Sequence, residues 1–196
     1  MGAGKPKLLT LPGGLPRGVR MASDFLMSLQ LTGADRKDSL VNLELRLPIV
    51  VIGGGLTAMD TATEALAYYP LQVERFLKRY EVLGSQENWT EEEKKLAGTF
   101  IAHAKAIRQE REKAEEEGRP PEILKLLQEW GGCTLIYRKS IQESPAYRLN
   151  HEEVNAALAQ GVTILESANP HDFIKDEFCH LYHVEVEIDS QLQKIP

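Results

Sequence analysis

Gly53-Gly54-Gly55-Leu56-Thr57-Ala58 is the stretch of this 196-residue chain whose residue types and spacing specify chemistry most directly. It fits G-x-G-x-x-A between an apolar run and a helix-forming one, the arrangement that binds the pyrophosphate of a dinucleotide. The first glycine permits a sharp turn, the second glycine of the motif lets backbone approach the anion, and Ala58 lets the helix pack close to the strand. Amides at the helix N-terminus, together with its dipole, then hold the negative charge. An acidic residue about 20 positions later would bind the ribose hydroxyls of NAD, but it does not appear in the expected place, at the end of a second strand. If residues 71–130 are an insertion, the equivalent position moves to the end of Cys133-Thr134-Leu135-Ile136-Tyr137. Arg138-Lys139 follow, with no carboxylate until Glu143. Cationic side chains at that place suit the 2′-phosphate of NADP(H), which is therefore preferred over NAD(H).

The elements that must position these residues are legible as a β-α-β series. Ile49-Val50-Val51-Ile52 is an unbroken apolar, β-branched run expected of a strand covered on both faces. Residues 57–69 carry apolar side chains at helical spacing, and Pro70 is expected to stop that helix. Residues 71–130 are rich in Glu, Lys, Arg and Ala and are expected to be mostly helical. Within them Thr90-Glu91-Glu92-Glu93 forms a capping box, followed by the stripe Leu96, Phe100, Ala104 and Ile107. Gly118 and Pro120-Pro121 break that helix, and residues 123–130 form another. Cys133-Tyr137 is the second strand, 150–158 a helix ended by Gly161, and Val162-Thr163-Ile164-Leu165 the third strand. Residues 181–188 alternate as a half-exposed strand. Upstream, residues 21–31 form a short amphipathic helix, with Ser23 and Asp24 as caps. The Gly- and Pro-rich opening, residues 2–16, is too broken for regular structure.

The fold class expected from this order is α/β: a Rossmann-like three-layer parallel sheet with a charged helical insertion and a C-terminal antiparallel strand or meander. Length and a 42% hydrophobic content suit one domain over residues 1–196, with 71–130 inserted in it. A net charge of −6 without basic runs excludes nucleic acid as a main partner. No apolar signal core or membrane-length run is present, and Pro6 spoils the myristoylation-like start, so a cytoplasmic chain with no membrane partner is expected. Cys133 and Cys179 are too far apart in sequence for a redox CxxC.

These residues resemble the NAD(P)-binding domain of the glutamate synthase small-subunit group of pyridine nucleotide-disulfide oxidoreductases, which includes a domain of dihydropyrimidine dehydrogenase. The family pattern G-G-G-[N/D]-T-A-M-D is matched by Gly53 through Asp60, and its Tyr-Arg-Arg or Phe-Arg-Lys strand end by Tyr137-Arg138-Lys139. Ser144-Pro145-Ala146, Arg148, His151-Glu152-Glu153, Gly161-Val162 and Asn169-Pro170 are similar to later family elements. Gly2-Ala3-Gly4-Lys5-Pro6 and the residues through Asp24-Phe25-Leu26 resemble its passage out of an FAD domain. The resemblance implies an NADPH-binding domain that delivers hydride to a flavin on a domain absent here, so the isolated chain is not expected to be catalytically complete. It assigns Gly54, Gly55, Leu56 and Thr57 to the pyrophosphate and Arg138, Lys139 and Arg148 to the 2′-phosphate; Gly53 and Ala58 shape the turn. Leu56 departs from the polar residue usual at its position, and residues 71–130 have no counterpart in shorter members. FAD is expected only in the parent protein. An iron–sulfur protein or a glutamate synthase-like large subunit is the implied electron-transfer partner. The chain has neither a second glycine fingerprint nor a cysteine cluster.

Other residues read more simply. His180 and His183 fall on opposite faces of a strand and, with Cys179 and His171, lack metal spacing, so they are expected to be exposed or partly packed. Asp60 is explained by the helix dipole. The charged insertion is expected to be a solvated helical hairpin decorating the domain. The alternative reading of the whole chain is an interaction module in which this hairpin docks a partner protein on a Rossmann scaffold.

Overall fold

The computed structural model describes residues 9–36, 39–84 and 88–196; the expectations for Gly2 through Pro6 lie outside them. Ala22–Thr32 forms α1, Ile49–Ile52 β1, Leu56–Leu83 α2, Glu91–Glu116 α3 and Ile123–Glu129 α4. Cys133–Ile136 is β2, Pro145–Ala159 α5, Val162–Leu165 β3, Asn169–Lys175 β4, Leu181–Ile188 β5 and Gln191–Ile195 β6. The strands form a parallel sheet in the order β1-β2-β3 and an antiparallel meander in the order β4-β5-β6. Parallel neighbours need long crossovers, which the helices supply. The chain is thus a mixed α/β protein in which a three-stranded parallel sheet and an antiparallel sheet share a core.

Alternation along the short parallel strands divides that core. Val51, Leu135, Cys133 and Val162 point to the helices, among Ala62, Leu66, Val73, Phe100, Ile107 and Val154. Val50, Ile52, Ile136 and Leu165 point the other way, onto Phe173, Val184 and Val186 of the meander. Fully buried side chains such as Leu135 and Val154 each contribute about 1.5–3 kcal/mol.

Pro70 does not stop the helix: α2 runs through it as one 28-residue element. A proline inside a helix costs about 3 kcal/mol, and two faces of α2 offset it. One is the apolar series Leu66, Tyr69, Val73 and Leu77, buried in the main core. The other is Tyr68, Gln72, Arg75 and Arg79, spaced to lie along one side. These four bind the backbone of the extended segment leading to β1. Leu43 N–H donates to the Tyr68 hydroxyl (2.9 Å), and Gln72 pairs both ways with Leu45 (2.7 and 2.9 Å). Arg75 donates to the carbonyls of Ala34 and Val41, and Arg79 to that of Ser39. A segment in no sheet thereby has its backbone polar groups satisfied.

Residues 71–130 are helical as expected, but the boundary and role differ. Their first part is the second half of α2, and the Phe100, Ala104, Ile107 and Leu127 side chains belong to the same core as the sheet. The segment is packed into the domain instead of decorating it. Tyr69 is completely buried, its hydroxyl 2.7 Å from His103 Nδ1, and the His103 ring stacks on Trp130 at 3.8 Å. Burial pushes the Tyr69 phenol well above its ordinary pKa and lowers that of His103. The capping box at Thr90 and Glu93 is present.

The other differences are local. Ser23 and Asp24 do not cap α1: Met21 holds the N-cap position with no side-chain hydrogen bond, and the Ser23 hydroxyl is buried without a partner. Both residues lie inside the first turn, where Asp24 can only complement the dipole. α5 starts at Pro145, earlier than expected, because Ser144 caps it and proline suits the first turn. Asn150, the expected start, is instead a non-helical kink within it. The β5-β6 hairpin turns on Asp189 and Ser190, both with positive φ, which matches strand twist. No helix among the described residues is long and apolar enough to cross a membrane.

His180 and His183 are both buried, against expectation, since the meander is folded onto the sheet. His180 Nε2 lies 2.5 Å from Glu92 Oε1, which also takes Arg46 at 3.1 Å, while Arg17 reaches Glu92 Oε2 at 3.0 Å. One carboxylate in the first turn of α3 therefore ties together the N-terminal segment, the approach to β1, the insertion and the meander. These partners, Arg46 foremost, lower its pKa from 4.5 to about 2. The stability it contributes is fully present above pH 4.5 and is lost as pH falls toward about 2. Glu92→Gln should unfold at lower urea than the wild type at neutral pH, and the two should converge as the pH approaches about 2. A constant difference across that range would show that the Glu92 charge is not the stabilising element.

Candidate functional site

The glycine turn joins β1 to α2, and its three glycines have different surroundings. Gly53 has φ of 153°, and a Cβ there would stand 3.3 Å from the Ala58 Cβ. The turn and the small Ala58 are thus one requirement. At Gly54 a Cβ would overlap the Tyr137 ring, 2.3 Å from its nearest atom. Tyr137 follows β2, and the Gly54 carbonyl accepts a hydrogen bond from Ala146 N–H in the first turn of α5 at 3.0 Å. The Gly54 side is therefore filled by protein. Gly55 differs: a Cβ there would meet nothing within 4 Å.

Gly55 is the N-cap of α2 in extended conformation and no side chain caps the helix. Leu56 and Thr57 occupy the first two helical positions, whose amides have no intrahelical acceptor. No backbone bond from either amide is present among the described residues. Leu56 is half-buried against the core and Thr57 is exposed. The arrangement is a set of free N–H groups beside open space at the positive end of a long helix dipole, chemically suited to an anion.

Pairing of Ile52 with Ile136 sets the ends of β1 and β2 side by side, so Arg138 and Lys139 leave the sheet at the same end as the glycine turn. Their backbone is pinned: Ala168 N–H donates to the Tyr137 carbonyl, Ser167 N–H to the Lys139 carbonyl, and Glu166 accepts from Ile141 N–H at 2.6 Å. Arg138 is exposed and makes no side-chain hydrogen bond or ion pair among the described residues. Lys139 instead pairs with Glu143 at 3.2 Å, both largely exposed. Arg148 is also exposed and unpaired among the described residues, and lines a shallow pocket of about 350 Å3 with Pro145 and Leu149. Gly53, Gly54, Gly55, Leu56, Thr57, Ala58, Arg138 and Lys139 thus gather at one end of the sheet, with Arg148 one turn into the helix that Ala146 docks there.

Tyr137, Glu143, Ala146 and Glu166 take part in this geometry without having been assigned to it from sequence. Tyr137 and Glu143 flank Arg138-Lys139 and were visible as residues, but their contacts depend on the fold. Glu166, at the end of β3, left no local signal. Asp60 is exposed, and its pKa is raised by desolvation and then by the nearby Glu153, the opposite of what a dipole alone would do. The buried Cys133 thiol is pushed up to about 12 by burial, so it is not a nucleophile at neutral pH, while Cys179 is exposed at a turn. Among the described residues no group of three or more His, Cys, Asp or Glu side chains is placed to hold a metal.

No family model matches the chain. An uncharacterized protein of Rickettsia prowazekii (strain Madrid E) is 44% identical over 194 residues. The match spans 99% of this chain but 26% of that protein, so the chain spans about a quarter of the length of the relative it matches. The helical segment 71–130 lies inside the matched region.

Substitution separates the roles of the two neighbouring glycines. Gly54→Ala should displace Tyr137 and destabilise the fold by about 1–3 kcal/mol through overpacking. Gly55→Ala should melt within a few degrees of the wild type while weakening any ligand held by the α2 amides. Equal melting temperatures for the two variants would mean that Tyr137 does not pack on Gly54.

Proposed function

We propose that this chain is a dinucleotide-binding domain with the Rossmann-like arrangement, that it binds NADPH in preference to NADH, and that it serves a flavin-dependent oxidoreductase similar to the glutamate synthase small subunit. The observation that carries the reading is the uncapped start of α2 beside the open side of Gly55, with the unpaired Arg138 leaving the adjacent strand end. The fit is chemical: free amides and a helix dipole for a pyrophosphate, and a guanidinium able to grip a phosphate monoester with two parallel hydrogen bonds.

In this reading Gly55, Leu56 and Thr57 hold the pyrophosphate through backbone amides, so the apolar Leu56 side chain is no obstacle. Gly53 and Ala58 keep α2 against β1, and Tyr137 over Gly54 sets the height of the turn relative to the second strand. Arg138 and Arg148 supply the 2′-phosphate contacts; Lys139, shared with Glu143, contributes less. Bound NADPH supplies a hydride for an FAD held outside this chain, with an iron–sulfur protein or glutamate synthase-like large subunit as the onward acceptor. The competing reading, an interaction module built on the insertion, gains nothing from the apolar stripe of α3, which is buried inside this chain.

Calorimetry with NADPH and NADH, on the chain and on the protein from its complete reading frame, tests the proposal. Binding of NADPH by neither would refute it. Arg138→Ala should weaken NADPH by about 10-fold or more, the loss of a charged hydrogen bond, and leave NADH nearly unchanged; equal losses would remove its assigned role. Glu143→Gln should improve NADPH binding by about two-fold, since exposed ion pairs are weak competitors.

A further inference from the structure

Tyr69 is a completely buried phenol whose hydroxyl has one polar neighbour among the described residues, His103 Nδ1 at 2.7 Å. The hydroxyl must be the donor. Were the imidazole to donate, the phenolic proton would be left unpaired in the apolar core. Nδ1 is then the unprotonated acceptor and the ring proton sits on Nε2. His103 is half-buried, and its Nε2 makes no hydrogen bond to a described residue, so the imidazole joins a sealed phenol to the margin of the core. Trp130, also half-buried, lies face to face on that imidazole, with ring centroids 3.8 Å apart and planes 3° from parallel. Tyr68 is buried as deeply, but its hydroxyl accepts Leu43 N–H and has no base beside it among the described residues.

A phenolate at Tyr69 would be an unpaired charge in apolar surroundings, which is why burial holds its pKa far above the ordinary value. Loss of the proton alone is thereby blocked, whereas loss of the proton together with an electron leaves the ring uncharged. The positive charge then appears on His103, which burial keeps neutral beforehand, over the indole face that attracts a cation. We propose that Tyr69 is a redox-active residue, oxidised through Trp130 with His103 as its proton acceptor. A one-electron oxidant of the oxygen-radical class takes an electron from the Trp130 indole; Tyr69 replaces that electron, and its O–H bond breaks as the proton passes to His103 Nδ1. The products are the reduced oxidant, neutral Trp130, a neutral phenoxyl radical at Tyr69 and the His103 imidazolium. An oxidising equivalent is so moved from the half-exposed indole to a ring that other molecules cannot touch. His103 and Trp130 both belong to residues 71–130, and the relay uses neither the glycine turn nor Arg138, so it does not depend on NADPH.

Flash photolysis with ruthenium tris-bipyridine and an irreversible electron acceptor tests it, on the protein expressed from its complete reading frame, with the radical followed by absorbance and EPR. The wild type should give a long-lived tyrosyl radical, distinct from those at exposed rings such as Tyr182, which decay by coupling between molecules. Tyr69→Phe, which removes one oxygen, should lose the long-lived component. His103→Gln should lose it too, because the amide can accept the hydrogen bond but cannot hold the proton. Trp130→Phe keeps a ring over the imidazole and should slow formation of the radical. Melting curves show that each variant is folded, and changes at two separate positions keep the test decisive if one of them is not. Absence of a long-lived tyrosyl signal in the wild type, or its persistence in Tyr69→Phe, would overturn the proposal. Persistence in His103→Gln would overturn the proton transfer, and an unchanged rate of formation in Trp130→Phe would overturn the route.

Discussion

Parallel pairing of β1 with β2 obliges the chain to leave the sheet at Gly53 and return at Gly132, and the rest of the molecule is organised around that excursion. A parallel neighbour cannot be reached by a tight turn, so the intervening residues must fold on one face of the sheet. They do so as α2, α3 and α4, whose inner side chains join those of all three parallel strands in one core. The long excursion costs only slowly growing loop entropy, and the burial of Phe100, Ala104, Ile107 and Leu127 more than offsets it. A crossover this long is then a wall of the core, which explains why its charged composition does not make it an appendage.

The same constraint explains which features were legible in the sequence. β1, β2, β3, β5, the capping box and the glycine turn are each written within a few neighbouring residues, by β-branched runs, Thr90 with Glu93, or glycine spacing. Pro70 was misread because its local penalty is fixed while the return on continuing α2 is collective. The Tyr68, Gln72, Arg75 and Arg79 face binds a segment about 30 residues earlier in the chain, and no window centred on Pro70 contains that segment. The histidines were misread similarly: alternation put His180 and His183 on opposite faces, but only the fold brings Glu92 to one of them. The kink at Asn150 and the strands β4 and β6 had no strong periodicity to announce them.

Charge is used unevenly. Arg17, Arg46, Arg108, Arg111 and Arg119 each meet a carboxylate, and Arg75 and Arg79 meet backbone carbonyls. Arg119 and Glu110 make a two-point contact that also receives Glu122 N–H, closing the turn between α3 and α4. The more exposed pairs, Arg108 with Glu81 and Arg111 with Glu74, contribute little individually, but they neutralise the outer face of the helices. Arg138 and Arg148, like Arg36, have side chains that nothing among the described residues answers, and these two sit at the end of the sheet where the α2 amides are uncapped.

The contact of Tyr137 with Gly54 has consequences for that end of the sheet. The glycine turn is braced from the β2 side by the Tyr137 ring, by the bond from Gly53 N–H to Ile136 and by Ala146 N–H on the Gly54 carbonyl. Arg138 follows Tyr137 directly, and the Tyr137 carbonyl is itself bonded to Ala168 N–H. The spacing between the α2 amides and the Arg138 backbone is therefore set by packed backbone and the half-buried Tyr137 ring lying against Gly54, not by flexible side chains. A ligand bearing two phosphate groups is discriminated best when the separation of its two sites is fixed before it binds, because ordering costs are then already met. A bulkier residue at Gly54 would change both the depth of the turn and the position of the cation. The middle glycine, nominally the free position of the motif, is thus as constrained as its neighbours, and by packing instead of by ligand.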